Sequence, residues 1–166
     1  MRILLASLAL ALLSGCGLSP MYAGGGSGMV AQSLAAIEVA PIEGRAGWLV
    51  RSALEERLGA AGQANARYRM DVRLDDQLEG LAVLRDDTIS RERRTLRARY
   101  QLVDLATGEI LLDATDGSDA GIDVVSSEYA VIAAEQTALQ NLSQDLAQRM
   151  VTRVALALRE QGEAPQ

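Results

Sequence analysis

The side chains available for chemistry are few. Among 166 residues there is one cysteine, Cys16, and no histidine, and every one of the 16 basic residues is arginine. Without imidazole there is no ordinary base at neutral pH and no imidazole metal ligand. Without lysine there is no Schiff base or Ser–Lys pair, and a lone thiol forms neither an internal disulfide nor a CxxC metal site. The carboxylate pairs Asp75-Asp76 and Asp86-Asp87 raise the question of a hard-metal site. Neighbouring strand residues point to opposite faces, so neither pair converges; both read as turn acids, and no metal ligand is assigned. The stretch "AGGGSG" at 23–28 lacks a strand before it and a lysine after it, which argues for a tether rather than a phosphate loop. No catalytic residue emerges.

What remains is arginine. Residues 85–99 hold Arg85, Arg91, Arg93, Arg94, Arg97 and Arg99. On a strand, side chains two apart share a face at about 7 Å, so Arg91, Arg93, Arg97 and Arg99 form a cationic row. Such a row can grip phosphate bidentately. It can equally be a solvated sheet face whose arginines pair with Asp71, Asp75 and Glu92 across strands. Net charge is −6, which argues against a nucleic-acid partner. Residues 1–103 hold 13 arginines against 11 acids, and residues 104–166 hold 3 against 11, so an anionic partner belongs with the first part.

Cys16 has a different role. Arg2 precedes an apolar run, residues 3–13, of signal-peptide length and too short to span a bilayer. Leu13-Ser14-Gly15-Cys16 resembles the lipobox of bacterial lipoproteins, in which cleavage before the cysteine leaves its thiol carrying diacylglycerol. The resemblance implies a leader over 1–15, a lipid on Cys16 as the only attached group, and membrane anchoring by several acyl chains. Gly17, in place of the aspartate of the inner-membrane retention signal, favours the outer membrane.

The elements that must position the arginine row follow from periodicity. "LAAIEVAPI" predicts a short strand with Ile37 and Val39 on one face, ended by Pro41. Residues 47–58 carry Leu49/Val50, Ala53/Leu54 and Leu58 at helical spacing. Trp48, on that helix, is assigned to the core in preference to an interface. Tyr68, Met70, Val72 and Leu74 alternate with charged residues, as do Leu96, Ala98, Tyr100 and Leu102 within 89–104, predicting antiparallel strands with one wet face. "DLATGE" is a turn, 110–115 a returning strand and 116–126 a loop. Ser126 or Ser127 caps a helix over 128–160, roughly 50 Å long. The expected organisation is a leader (1–15), a lipidated cysteine and tether (16–30), one α+β domain (31–160) and a frayed tail (161–166). The fold expected is two helices packed on one face of a four-stranded, mostly antiparallel sheet, a β-α-β-β-β-α sandwich.

The lipobox with "CGLSPMY", this element order, the hairpin "YQLVDLATGEIL", and "DVVSSEYAVIAAEQTA" before the last helix are similar to the LptE family in its alphaproteobacterial form. That resemblance implies a non-enzymatic outer-membrane lipoprotein, facing the periplasm and a barrel lumen. Such a protein assists and plugs an LptD-type β-barrel and helps deliver lipopolysaccharide to the outer leaflet. Under it, Arg91, Arg93, Arg97 and Arg99 become candidate contacts to lipopolysaccharide or to the polar wall of the barrel lumen. The alternative is a lipoprotein auxiliary of a lipid-trafficking ABC transporter, which also carries a lipobox and a small α/β domain.

Overall fold

A computed structural model describes residues 29–59, 65–83 and 89–163. The leader, Cys16, the glycine stretch 23–28, Arg85 and Asp86-Asp87 lie outside the described residues. Among the described residues, three helices and four strands follow in the order α1 (Met29–Ala35), β1 (Ile37–Val39), α2 (Gly44–Leu58), β2 (Tyr68–Val83), β3 (Ile89–Asp104), β4 (Ile110–Asp123) and α3 (Glu128–Glu163). The sheet order is β1-β2-β3-β4. β1 lies parallel to β2, and the other two pairings are antiparallel.

The α+β sandwich predicted from the sequence is present, with one helix more than expected: α1 takes up the end of the stretch read as tether and the residues before the first strand. Leu34 from α1 is buried in the common core, so this short helix is held by tertiary packing rather than by its own length.

Alternation along β2 and β3 determines which face is buried. Tyr68, Met70, Val72, Leu96, Ala98, Tyr100 and Leu102 point into the core, where α2 supplies Val50, Leu54 and Leu58, and α3 supplies Leu139, Leu142, Leu146, Met150 and Val154. The opposite sheet face is left to solvent.

α3 begins where Ser127 Oγ accepts the Ala130 N–H at 3.4 Å, with Glu128 in the first turn against the helix dipole. At the β3–β4 turn, Asp104 Oδ1 accepts the N–H of Ala106 at 2.8 Å and of Thr107 at 3.3 Å. Gly108, at φ 74, supplies the left-handed residue that closes this turn.

Three expectations are corrected. Residues 116–123 are strand, not loop: each pairs with β3, from Asp116↔Ala98 to Asp123↔Arg91. Gly117, Ser118 and Gly121 are poor strand formers, but a 16-residue β3 leaves a row of ladder groups that a partner must satisfy. Asp75 and Asp76 are not turn acids; both lie within β2, on opposite faces. Trp48 is not core: it is 67 % exposed, because the buried stripe of α2 runs through Gly47, Val50, Ala53, Leu54 and Leu58.

Candidate functional site: the charged open face of the sheet

β3 is the central strand of the long meander and carries the arginine row into the middle of the open face. Arg91, Arg93, Arg97 and Arg99 are all exposed and all on this face, as their spacing predicted. The acids that meet them are not the ones expected. Arg91 faces Asp123 at 3.4 Å, Arg93 faces Asp119 at 3.9 Å, and Arg99 makes a two-pronged contact with Asp113, donating from Nη2 at 2.9 Å and from Nε at 3.2 Å. All three carboxylates come from β4.

Asp71 and Asp75 are engaged along their own strand, by Arg69 at 3.1 Å and by Gln77 at 3.1 Å. Glu92, two positions from Arg94, lies on the helix-covered face, where its Oε2 is buried and has no hydrogen-bond partner among the described residues. Arg94 lies on that covered face too and clamps Asp76 with contacts of 2.7 and 2.8 Å. The parity of the strand makes this assignment: even-numbered residues of β3 turn inward and odd-numbered ones outward.

The Asp113 carboxyl is held down at about 2, first by the hydrogen bond from Arg99 and then by one from Gln101 at 2.8 Å. The Arg99 guanidinium is raised in turn by the same contact. On the covered face, burial and then a 2.6 Å hydrogen bond to Asp116 push the Tyr100 phenol well above its usual range. Arg153 from α3 closes that network on the other oxygen of Asp116 at 3.3 Å.

Neutralisation of the row is incomplete. Arg97 sits opposite Gly117 of β4, which offers no side chain, and opposite Asp75 of β2, whose carboxylate is taken by Gln77; no ion pair to Arg97 forms among the described residues. A Cβ at position 117 would come within 3.1 Å of Arg97 Cγ, so the guanidinium stem lies close over the glycine. Thr95, Thr115 and Asp119 border the same shallow depression of about 330 Å³.

Arg73 of β2 is the second cation of this face that has no ion pair among the described residues. It stands directly opposite Arg99, a like-charge pairing that costs stability in the bare protein. It lines a neighbouring depression of about 420 Å³ with Pro41, Asp71, Arg99 and Gln101. Because Arg97 stands opposite Asp75 in the β2–β3 register, without an ion pair between them, Arg73 and Arg97 are diagonal neighbours across the ladder. The sequence reading passed over Arg73, although its alternation with Met70, Val72 and Leu74 marked it as outward-facing.

The guanidiniums of Arg73, Arg97 and Arg99 and the hydroxyls of Thr95 and Thr115 present hydrogen-bond donors along these two depressions. No cluster of three or more potential metal ligands occurs among the described residues, and none of the described helices is long and apolar enough to cross a membrane.

The sequence model of the LptE family, described as lipopolysaccharide-assembly, matches residues 34–154. The chain belongs to the LptE family. No curated protein is matched. Among solved structures, a Caulobacter crescentus chain is similar at 24% identity and a TM-score of 0.68, over 82% of this chain and 98% of that one. A minor lipoprotein from Acinetobacter baumannii is similar at 14% identity and a TM-score of 0.59, over 72% and 90%. The rare lipoprotein B of Shewanella oneidensis is similar at 10% identity and a TM-score of 0.55, over 76% and 98%. At these identities the structures establish a shared LptE-like fold. The lipopolysaccharide-assembly role comes from the family match.

Proposed function

We propose that the chain is a lipid-anchored, non-enzymatic lipoprotein of the outer membrane, held by Cys16. In this reading it assists assembly of, and plugs, an LptD-type β-barrel and helps deliver lipopolysaccharide to the outer leaflet. The observation that carries the proposal is the open sheet face. It presents a charged ladder in which Arg73 and Arg97 hold no ion pair among the described residues, ready for the phosphates of lipid A or for acidic groups on a barrel wall. Arginine suits both, since its planar fork bonds two oxygens at once and stays charged. The remaining arginines of the row, Arg91, Arg93 and Arg99, bind through exchange of partner: an incoming phosphate displaces Asp123, Asp119 or Asp113.

The test has two parts. The tagged lipoprotein, purified from membranes, is expected to bring a large β-barrel protein with it. An inner-membrane permease in its place, with surface lipopolysaccharide normal on depletion, would transfer the chain to the ABC-transporter reading. Separately, replacing Arg73 and Arg97 together by Ala should weaken retention of lipopolysaccharide by about tenfold or more, since a charge-assisted hydrogen bond contributes about 1.5–3 kcal/mol. The unfolding midpoint should not fall, because neither residue has an ion pair to lose. Unchanged retention would return the row to a solvated face.

A further inference from the structure

Trp48 is the only tryptophan of the chain, and it is 67 % exposed on α2. An isolated exposed leucine would need no explanation, but tryptophan is normally well buried, and its indole belongs where an apolar body and a polar tip both find a partner. Arg45 and Arg51 stand three residues before and after it, so the three side chains form one strip along the helix. Arg45 is exposed, and Arg51 is half-exposed beside Glu55 at 2.8 Å. An aromatic ring flanked by arginines fits the interfacial zone of a bilayer, with the indole at the headgroup level and the guanidiniums on lipid phosphates.

The route of the chain points to the same surface. α1 packs on α2 and α3, so the polypeptide enters the fold on the helix layer and not on the sheet face. Only residues 17–28 separate Cys16 from Met29, and 12 residues span at most about 40 Å. α3 carries further exposed apolar groups, Tyr129, Ile132 and Leu156, and the strands carry Leu78, Leu81 and Ile110, but the centre of the open sheet face is a ladder of arginines and aspartates.

We propose that the anchored protein lies helix side down on the phospholipid surface, with Trp48 as its contact residue and Arg45 and Arg51 on the headgroups. This rests on the lipid-anchor reading of Cys16 and concerns the chain before it meets a barrel. The lipid makes the second contact intramolecular, so a single ring suffices where it would not hold an untethered domain. The charged sheet face is then directed away from the bilayer, towards incoming partners.

The lone tryptophan makes the test direct. The full lipidated chain is reconstituted in phosphatidylethanolamine–phosphatidylglycerol vesicles, and the full-length Cys16→Ser chain is mixed with the same vesicles. Circular dichroism checks that both are folded. The expected result is that only the lipidated chain co-sediments. Its emission should be blue-shifted, several-fold less quenched by iodide than that of Cys16→Ser, and quenched by lipids brominated near the headgroup. Co-sedimentation with full iodide quenching overturns the inference and leaves the anchor intact. A shift that appears only when a barrel is added overturns it in favour of a barrel contact. Failure of the lipidated chain to co-sediment removes the anchor reading and this inference with it.

Discussion

At the scale of single residues, two contacts carry predictions of opposite sign in pH. Asp113 is ionised down to about 2 because Arg99 and Gln101 bond to the charged form. Its pairing therefore favours the folded state above the ordinary carboxylate value of 3.8, and that contribution disappears as pH falls towards 2. A carboxyl titration by NMR should find Asp113 near 2, and Arg99→Ala should return it most of the way to 3.8. Tyr100 is the reverse case: its neutral form is favoured by burial, so its contribution is complete below the unfolded value of 10.0 and is lost as pH rises above it. Replacing Tyr100 by Phe removes the 2.6 Å bond to Asp116, whose side chain is only 13% exposed, and should cost about 1–3 kcal/mol in urea unfolding. That the four arginines share a face was legible, because strand period needs no tertiary knowledge. Their partners were not, because Asp113, Asp119 and Asp123 become neighbours only through the β3–β4 register. Trp48 was misplaced because a tryptophan beside apolar Leu49 and Val50 fits a buried stripe as well as it fits the stripe's flank.

At the scale of elements, α2 depends on one close approach. A Cβ built on Gly47 would stand 2.5 Å from the Ile42 carbonyl oxygen and 2.7 Å from its carbon, both backbone atoms with little room to move. Gly47→Ala should raise helix propensity and still destabilise the protein, by about 1–3 kcal/mol, measured as a lower urea midpoint with an unchanged slope. The sequence showed α2 and α3 clearly through their three- and four-residue spacing. It placed β3 within its observed bounds, since sixteen residues of alternation leave little freedom. It lost the second half of β4, where Asp116, Gly117, Ser118 and Gly121 have turn chemistry and only the ladder offered by β3 makes them strand. α1 was missed for the reason that short helices usually are: seven residues carry too little periodicity to distinguish them from a linker.

At the scale of the whole molecule, the interior is uneven. Around Leu96–Leu102 the sheet is covered by leucine, valine and methionine from both long helices. Towards Arg91–Thr95 the covered face holds Arg94, Asp76, Glu92 and Ala120 with Ile122 as its one buried large apolar side chain among the described residues, and α3 contributes Ala133, Ala134 and Ala138 beside a groove of about 540 Å³ along β4. Protection should follow this gradient. β3 is hydrogen-bonded on both sides, so differences along it report packing and not edge exposure. Native-state hydrogen exchange should find the amides of Arg91–Arg94 exchanging at least about tenfold faster than those of Ala98–Leu102. Uniform protection along β3 would show that the polar end is as firmly closed as the apolar one.

The strict alternation of β3 also governs how the protein can go wrong. Sliding that strand by a single residue would turn Arg91, Arg93, Arg97 and Arg99 under the helices and expel Leu96, Ala98, Tyr100 and Leu102 into water. Four guanidiniums without counter-charges cannot be tolerated there. The same arginines that equip the surface therefore act as a built-in proofreader of strand alignment during folding, before any partner is present.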